Sequence, residues 1–402
     1  MNAHCGKNFT TIILILYFVS LNLDTTISRI ILIPIFVIGT KNLFKNLQNC
    51  KKETKKLFLI QSTYLFGFLA LPFIDPFFRF RDMDHASRFI LYLPIFTYFL
   101  SSRSVKFNEV VLISSLLFSV IYLIISCLSI NLKTTIDTAQ VLLVLGAFNY
   151  YFYIKKGCLI YLVTTLLNYF IIVNLEVRSV IIYSFIMPVF VEFFICIKSH
   201  VNLVKIKRVS ILCGLTLLFI FLCGDGAKQR LVYGADTFSS HFNSEETLKV
   251  SKNSVNYRIE YLENGVIDFL SSPLFGIGRT GAIESINQVV QFYGRERFSH
   301  HHNELISTLC MRGLFGLFFF ILYFYLIIKL IKDEPSLKDN QHTNLLLVMI
   351  ISQITFFIFD SPFIGSMKSV DFFVITFFLL YAQFIKRKTY LNEQLHSNHT
   401  HI

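Results

Sequence analysis

Long apolar runs separated by short polar breaks dominate this chain. Most of them approach the ~20 residues that an α-helix needs to cross a hydrocarbon core. Twelve runs are predicted to be transmembrane helices: 9–23, 27–44, 57–74, 89–102, 108–130, 138–154, 158–175, 179–197, 209–223, 305–331, 344–360 and 370–385. The fourth is short and has room to begin earlier. The sixth and seventh are separated only by Lys155-Lys156-Gly157. One long polar stretch interrupts the series. The expected organisation is therefore helices one to nine over 1–223, a large loop over 224–303, helices ten to twelve over 304–385, and a tail over 386–402. Within the loop, 224–252 is polar and rich in Ser, Asn and Lys. From 256 the pattern changes, because Ile259, Leu262, Val266 and Phe269 follow helical spacing. This predicts a short amphipathic helix lying on the membrane face. Ser271-Ser272-Pro273 ends it, and Pro273-Leu274-Phe275-Gly276-Ile277-Gly278 reads as a turn with close backbone approach.

Composition agrees with an all-α polytopic membrane protein. Apolar residues make up 54% of the 402 and charged residues 15%, against about 25% charged in soluble domains. With no Trp, Tyr (19 residues) must supply any aromatic belt. The formal net charge of +12 would point to nucleic acid in a soluble protein, but no basic stripe with an RNA-binding motif is present. In a membrane protein the charge reports topology. With the N-terminus inside, the cytoplasmic segments hold 21 of the 37 basic residues. The short outer turns hold seven: Arg29, Arg79, Arg81, Arg88, Lys133, Arg178 and Lys368. Both termini are thus expected in the cytoplasm and the large loop in the periplasm. The N-terminal run follows Lys7 but lacks a small-residue cleavage site, so it is kept as the first helix. The eight cysteines are scattered and form no disulfide framework.

The candidate chemistry gathers at the outer face. The loop ends Ser299-His300-His301-His302-Asn303-Glu304 and enters an apolar helix of about 29 residues. That is longer than a membrane needs, so its first turns should stand above the bilayer. A histidine run beside a glutamate raises zinc, but adjacent histidines point in different directions and suit a metal poorly. Interfacial polar residues or a helix cap are the ordinary reading. A neutral imidazole acting as general base is the chemical one. Arg178 interrupts apolar sequence, Arg258 opens the amphipathic helix, and Arg79, Arg81 and Arg88 stand among Asp75, Asp82, Asp84 and His85. Each has a bland alternative as a snorkelling, paired or solvated charge. Together they would form an outward-facing anion site, because guanidinium donates to phosphate in pairs. Asp360 follows the eleventh span and could hold an arginine or the histidine. No Walker motif or GxSxG is present, and no DxD metal-sugar motif in a soluble domain, so any transferase must use an already activated donor.

These residues resemble a known family. His300-His301-His302-Asn303-Glu304-Leu305, followed by Arg312-Gly313-Leu314-Phe315-Gly316-Leu317, is similar to the HxHNE and GxxG signature of bacterial O-antigen ligases. The wider superfamily also contains O-antigen polymerases and protein O-oligosaccharyltransferases. Pro273–Gly278 resembles the family's upstream PxxGxG turn, and Asn256-Tyr257-Arg258 resembles its loop arginine. Val177-Arg178-Ser179 and Asp82 to Pro94 resemble further family segments. The extra histidine leaves the register open among His300, His301 and His302, with His302 favoured because it adjoins Asn303. The resemblance implies a metal-independent, inverting transferase of the GT-C type, without cofactor, in the bacterial inner membrane. Its donor would be polysaccharide on undecaprenyl diphosphate, and its acceptor a sugar hydroxyl of lipid A–core. It implies His302 as the catalytic base, with Arg178, Arg258 and Arg88 on the donor diphosphate. His300, Asn303, Glu304 and Asp360 would support them.

An O-antigen polymerase would share scaffold and donor but use a second lipid-linked glycan as acceptor. A secondary transporter is the non-enzyme alternative. Against it, the two halves lack paired Gly/Pro-broken helices and the charges collect at one face rather than the midplane. Glycan, linkage and oligomeric state are not written in the sequence. The topology is testable in a cysteine-free background. Cysteine at position 239 should label from outside intact cells, and cysteine at 397 only after permeabilisation. External labelling at 397 would overturn the arrangement.

Overall fold

A computed structural model of the chain describes residues 3–48, 52–102, 105–128, 136–192, 203–222, 229, 232, 254–292, 301–332 and 341–399. Among them no strand occurs. The helices in chain order are α1 (Ala3–Leu23), α2 (Thr25–Gln48), α3 (Lys52–Phe66), α4 (Leu71–Ile74), α5 (Asp84–Leu91), α6 (Leu93–Ser101), α7 (Phe107–Cys127) and α8 (Ile136–Lys156). They continue with α9 (Leu159–Asn174), α10 (Arg178–Phe190), α11 (Leu203–Leu222), α12 (Ser254–Ser271), α13 (Gly278–Phe292), α14 (Glu304–Lys332), α15 (Gln341–Phe359) and α16 (Met367–His399). Six helical stretches are long and apolar enough to cross a membrane: Thr25–Phe44, Glu53–Ile74, Phe107–Cys127, Glu304–Lys332, Gln341–Ile358 and Met367–Tyr390. Phe9–Leu23, Leu159–Asn174 and Arg178–Phe190 are shorter apolar helices. The chain is a helical membrane protein.

Two expected runs are subdivided. The 57–74 run is α3 followed by a turn at 67–70 and the short α4, where Pro72 sits in the first turn. The 89–102 run belongs to two helices, α5 starting at Asp84 and α6 starting at Leu93. Pro94 in the first turn of α6 lacks the N–H that would have continued the α5 ladder. The segment 224–252 lies outside the described residues apart from 229 and 232. The amphipathic helix expected from 256 is α12. It does not lie alone on the membrane face, because it packs against both α13 and α14 and buries Tyr261. α13 itself was not anticipated. Its buried apolar positions are Ala282 and Ile286, set among Arg279, Glu284, Asn287 and Gln288, too sparse for a periodic signal.

α16 is the centre of the bundle. It touches α1, α5, α6, α8 and α15, and 94% of its apolar window is buried inside the protein. Phe372, Phe373, Phe377, Phe378, Tyr381 and Phe384 along it are all buried. The outer helices show the reverse pattern. On α2, Ile27, Ile30, Ile33 and Val37 are more than half exposed, which in water would be an aggregation surface and in a bilayer is a lipid face.

α14 explains why the tenth run is over-long. It breaks at Gly313, whose φ of 60° and ψ of −159° are non-helical. The second part, Leu314 to Lys332, would span about 28 Å at 1.5 Å per residue, close to a hydrocarbon core. An unbroken helix would join the Leu314 N–H to the Cys310 carbonyl. Here the Pro273–Gly278 turn inserts its own backbone instead. Ile277 N donates to the Cys310 carbonyl at 2.8 Å, while Leu314 N and Phe315 N donate to the carbonyls of Pro273 (2.8 Å) and Leu274 (3.0 Å). The approach leaves no room for side chains. A Cβ on Gly276 (φ 74°) would stand 2.5 Å from both Arg312 N and the Cys310 carbonyl oxygen. Gly276→Ala should therefore lower stability well beyond the ~1–2 kcal/mol left-handed penalty, because backbone cannot move aside cheaply. Gly157→Ala is the control: φ is 67° but nothing lies within 4 Å, so only that penalty applies. Thermal unfolding of both variants in detergent measures the difference, and equal losses would refute the close-approach account.

Candidate active site

The residues before α14 form its cap and more. Asn303 is the N-cap, its Oδ1 accepting from Ile306 N at 2.9 Å. Its Nδ2 donates to the Ile358 carbonyl at 2.8 Å, satisfying an otherwise orphaned group at the end of α15. Glu304 is fully buried, and its Oε2 accepts from Phe363 N (3.0 Å) and Ile364 N (3.3 Å). Ser307 and Ser361 hydroxyls meet at 3.1 Å. Three consecutive polar contacts thus fasten the start of α14 to the 360–364 segment after α15.

That fastening sets Asp360 opposite His302. The Nδ1 of His302 lies 3.7 Å from Oδ1 of Asp360, and its ring stands nearly parallel to Tyr261, 20° apart with 6.2 Å between centroids. The other carboxylate oxygen, Oδ2, accepts from Gln140 Nε2 at 2.8 Å, and Oδ1 also accepts from Ser361 N at 2.9 Å. His302 has a φ of 53°, a left-handed conformation uncommon for a residue with a side chain and a frequent mark of functional sites. His302 is partly exposed, whereas His301 is fully buried. His300 lies outside the described residues.

His301 belongs to a different cluster. Its Nε2 is 4.0 Å from Asp268 Oδ2, to which the Cys310 thiol also donates at 3.3 Å. Ser285 donates to the other Asp268 oxygen at 2.9 Å and itself accepts from Asn264 at 2.7 Å. One side-chain atom from each of Asp268, His301 and Cys310 falls within 4.8 Å of the others, so among the described residues these three could hold a metal. The thiol and hydroxyl donors already satisfy the carboxylate.

The expected arginines separate into two groups. Arg258 on α12 is half-buried, and Tyr183 of α10 lies within electrostatic reach of both Arg258 and Asp360. Tyr183 donates to the Thr355 carbonyl of α15 at 2.8 Å. Arg178 begins α10, five residues before Tyr183, and Asp360 comes five residues after Thr355.

Arg88 is elsewhere. It donates to Asp371 at 2.7 Å and to Asp84 at 3.0 Å, while Arg29 reaches the other Asp371 oxygen at 2.9 Å. Burial opposes the Arg88 charge most strongly, but Asp371, Tyr92 and Asp84 together hold its pKa above the ordinary arginine value. The expected open cluster of Arg79, Arg81 and Arg88 does not form around Arg88, because carboxylates already occupy its guanidinium. Asp82 is likewise paired, with Arg279 at 3.4 Å, and Asp75 caps α13 through Thr280 N at 2.8 Å. His85, beside Arg88, is buried with Nδ1 3.0 Å from the Phe363 carbonyl. Burial pushes its pKa below the usual histidine value despite that contact.

Sequence reasoning missed Gln140, Tyr261 and Asp371. Gln140 and Asp371 had a signal, being polar residues inside otherwise apolar runs. Tyr261 had none. Asp371 is 1% exposed between two guanidiniums, so Asp371→Ala should cost about 3–5 kcal/mol by removing the buried partner of both, leaving Arg88 only the Asp84 carboxylate. Glu109→Gln should cost less than about 1 kcal/mol, since the Lys106–Glu109 pair is exposed. Denaturation midpoints of the two variants test this, and similar values would refute it. Residues 141–321 match a family model described as O-antigen ligase. No curated protein matches the chain.

Proposed function

From the match of residues 141–321 to the O-antigen ligase family model, we propose that the chain belongs to that family and transfers O-antigen polysaccharide from undecaprenyl diphosphate to a sugar hydroxyl of lipid A–core. The family implies a glycosyl-transfer enzyme of O-antigen assembly and lipid-linked substrates in general. The finer reading rests on the His302–Asp360 pair at 3.7 Å, with Tyr183 in electrostatic reach of both Asp360 and Arg258. We place this site at the periplasmic face of the inner membrane, in a chain of twelve spans with cytoplasmic termini.

Asp360 stands on the Nδ1 side of His302 at 3.7 Å, and we assign the acceptor hydroxyl proton to the imidazole's Nε2. The hydroxyl oxygen then bonds to the anomeric carbon from the side opposite the diphosphate. The bond from that carbon to the phosphate oxygen breaks, and undecaprenyl diphosphate departs with the electron pair. Arg178 and Arg258 stabilise the charge that develops on it. Arg88, committed to Asp371, positions helices instead. The diphosphate bond is already activated, so neither ATP nor a metal is required.

The experiment is ligation in vitro with lipid-linked donor and core acceptor, at matched protein abundance. Positioned base catalysis is worth about 10²–10⁴-fold, so His302→Ala should lose activity on that scale and His302→Gln nearly as much. His300→Ala should be milder. Arg178→Lys and Arg258→Lys should weaken donor use less than the alanine variants, because lysine keeps charge but not two-pronged donation. EDTA should leave activity intact. Its abolition by EDTA and recovery with a divalent ion would overturn the mechanism and turn attention to Asp268, His301 and Cys310. In a deletion strain, complete loss of capped core supports ligation, whereas core bearing one repeat unit would identify a polymerase.

A further inference from the structure

We infer that Gln140 is a positioning residue of the transfer reaction, acting through Asp360 on His302. The inference rests on the general-base reading of His302. Gln140 is 3% exposed in α8, in the run Thr138-Ala139-Gln140-Val141 where a lone amide is costly unless both its ends are satisfied. Both are. Oε1 accepts from the Ser369 hydroxyl at 3.0 Å, and Nε2 donates to Asp360 Oδ2 at 2.8 Å. This fixes the amide orientation chemically, since a carboxylate only accepts. The result is a buried line from α16 through α8 to Asp360 and across to the imidazole.

Each step has a consequence. Donation from the amide favours the charged form of Asp360. It also occupies Oδ2, so Oδ1 is the oxygen turned to His302 Nδ1 at 3.7 Å. A carboxylate 3.7 Å from Nδ1, beyond hydrogen-bond distance, acts through its charge and stabilises the imidazolium formed as the proton is taken. Gln140 touches neither substrate nor the reacting atoms, so its effect belongs to turnover and not to donor binding. Among the described residues, Glu304 is within electrostatic reach of Asp360, Tyr183 is within reach of both Asp360 and Arg258, and Lys368 Nζ donates to Thr138, two positions before Gln140, at 2.9 Å.

The test compares Gln140→Met, which keeps length and volume but cannot donate, with Gln140→Glu. Gln140→Met should lower kcat about tenfold, as expected for losing a hydrogen bond to a charged group, with KM for the lipid-linked donor within about twofold. Gln140→Glu sets two carboxyls together and forces them to share a proton as pH falls. Its activity relative to the unsubstituted chain should therefore be lowest near pH 8 and recover towards pH 6, because the shared proton restores the donor. In a His302→Ala background, Gln140→Met should cause no further loss, since the two act as one unit. Full kcat in Gln140→Met, a pH-independent loss in Gln140→Glu, or an additive loss in the double variant would each overturn the inference. If His302→Ala alone is fully active, the base assignment fails. If it is inactive while Gln140→Met is unimpaired, only the role of Gln140 fails.

Discussion

A helix cannot be cut inside a membrane protein without finding new partners for the groups it strands, and that requirement governs this molecule. The backbone of α14 is severed at Gly313, and the turn at 273–278 supplies both donors and acceptors to the exposed ends. In hydrocarbon each unmet group would cost several kcal/mol, so the turn and the break stabilise one another. The short upper part of α14 is then free to point where the lower part could not. Its cap, Asn303, grips α15, and its first residue, Glu304, grips the segment beyond. The histidine that precedes the cap is held in its left-handed conformation by everything that follows from the break.

Apolar packing does little to discriminate one helix arrangement from another when the surrounding solvent is also apolar. The specificity here comes from a few buried acids, each linked to another helix. Asp371 joins α16 to α2 and α5 through two arginines, and Asp360 joins the end of α15 to α8. Glu304 holds the turn between α15 and α16. Glu192, fully buried, takes Tyr150 at 3.0 Å and Arg208 at 2.8 Å, tying the end of α10 to α8 and α11. A buried ion pair is weak evidence of net stability, because desolvation offsets much of the attraction. Register is what these pairs supply best.

The sequence made the helices legible because lipid and core both select apolar runs of similar length, and the histidine–asparagine–glutamate cluster stood out by being polar where a span should begin. It did not show how that cluster is spent. Asn303 read as a neighbour of the base, yet it also bonds Ile358, 55 positions away. Arg88 read as one of several outward arginines because Asp371, its partner, is 283 positions later and looks like a stray charge in an apolar helix. Local periodicity carries no record of such pairings. The same limit hid α13, whose buried face is made of Ala282 and Ile286 and depends on neighbours to count as a face at all.

The position of α16 in the chain bears on how the bundle comes into being. The helix that every inner neighbour leans on follows all of them in sequence, so α1, α5, α6, α8 and α15 enter the membrane before their common support exists. During synthesis Arg29 and Arg88 await Asp371, and Gln140 awaits the Ser369 hydroxyl, while the ribosome is still hundreds of residues short of supplying them. Biogenesis must therefore pass through a stage in which the periphery stands around an unfilled middle. Insertion of a single late segment closes it, and a nascent chain stalled before Met367 would present Arg29, Arg88 and Gln140 to quality control without their partners on α16.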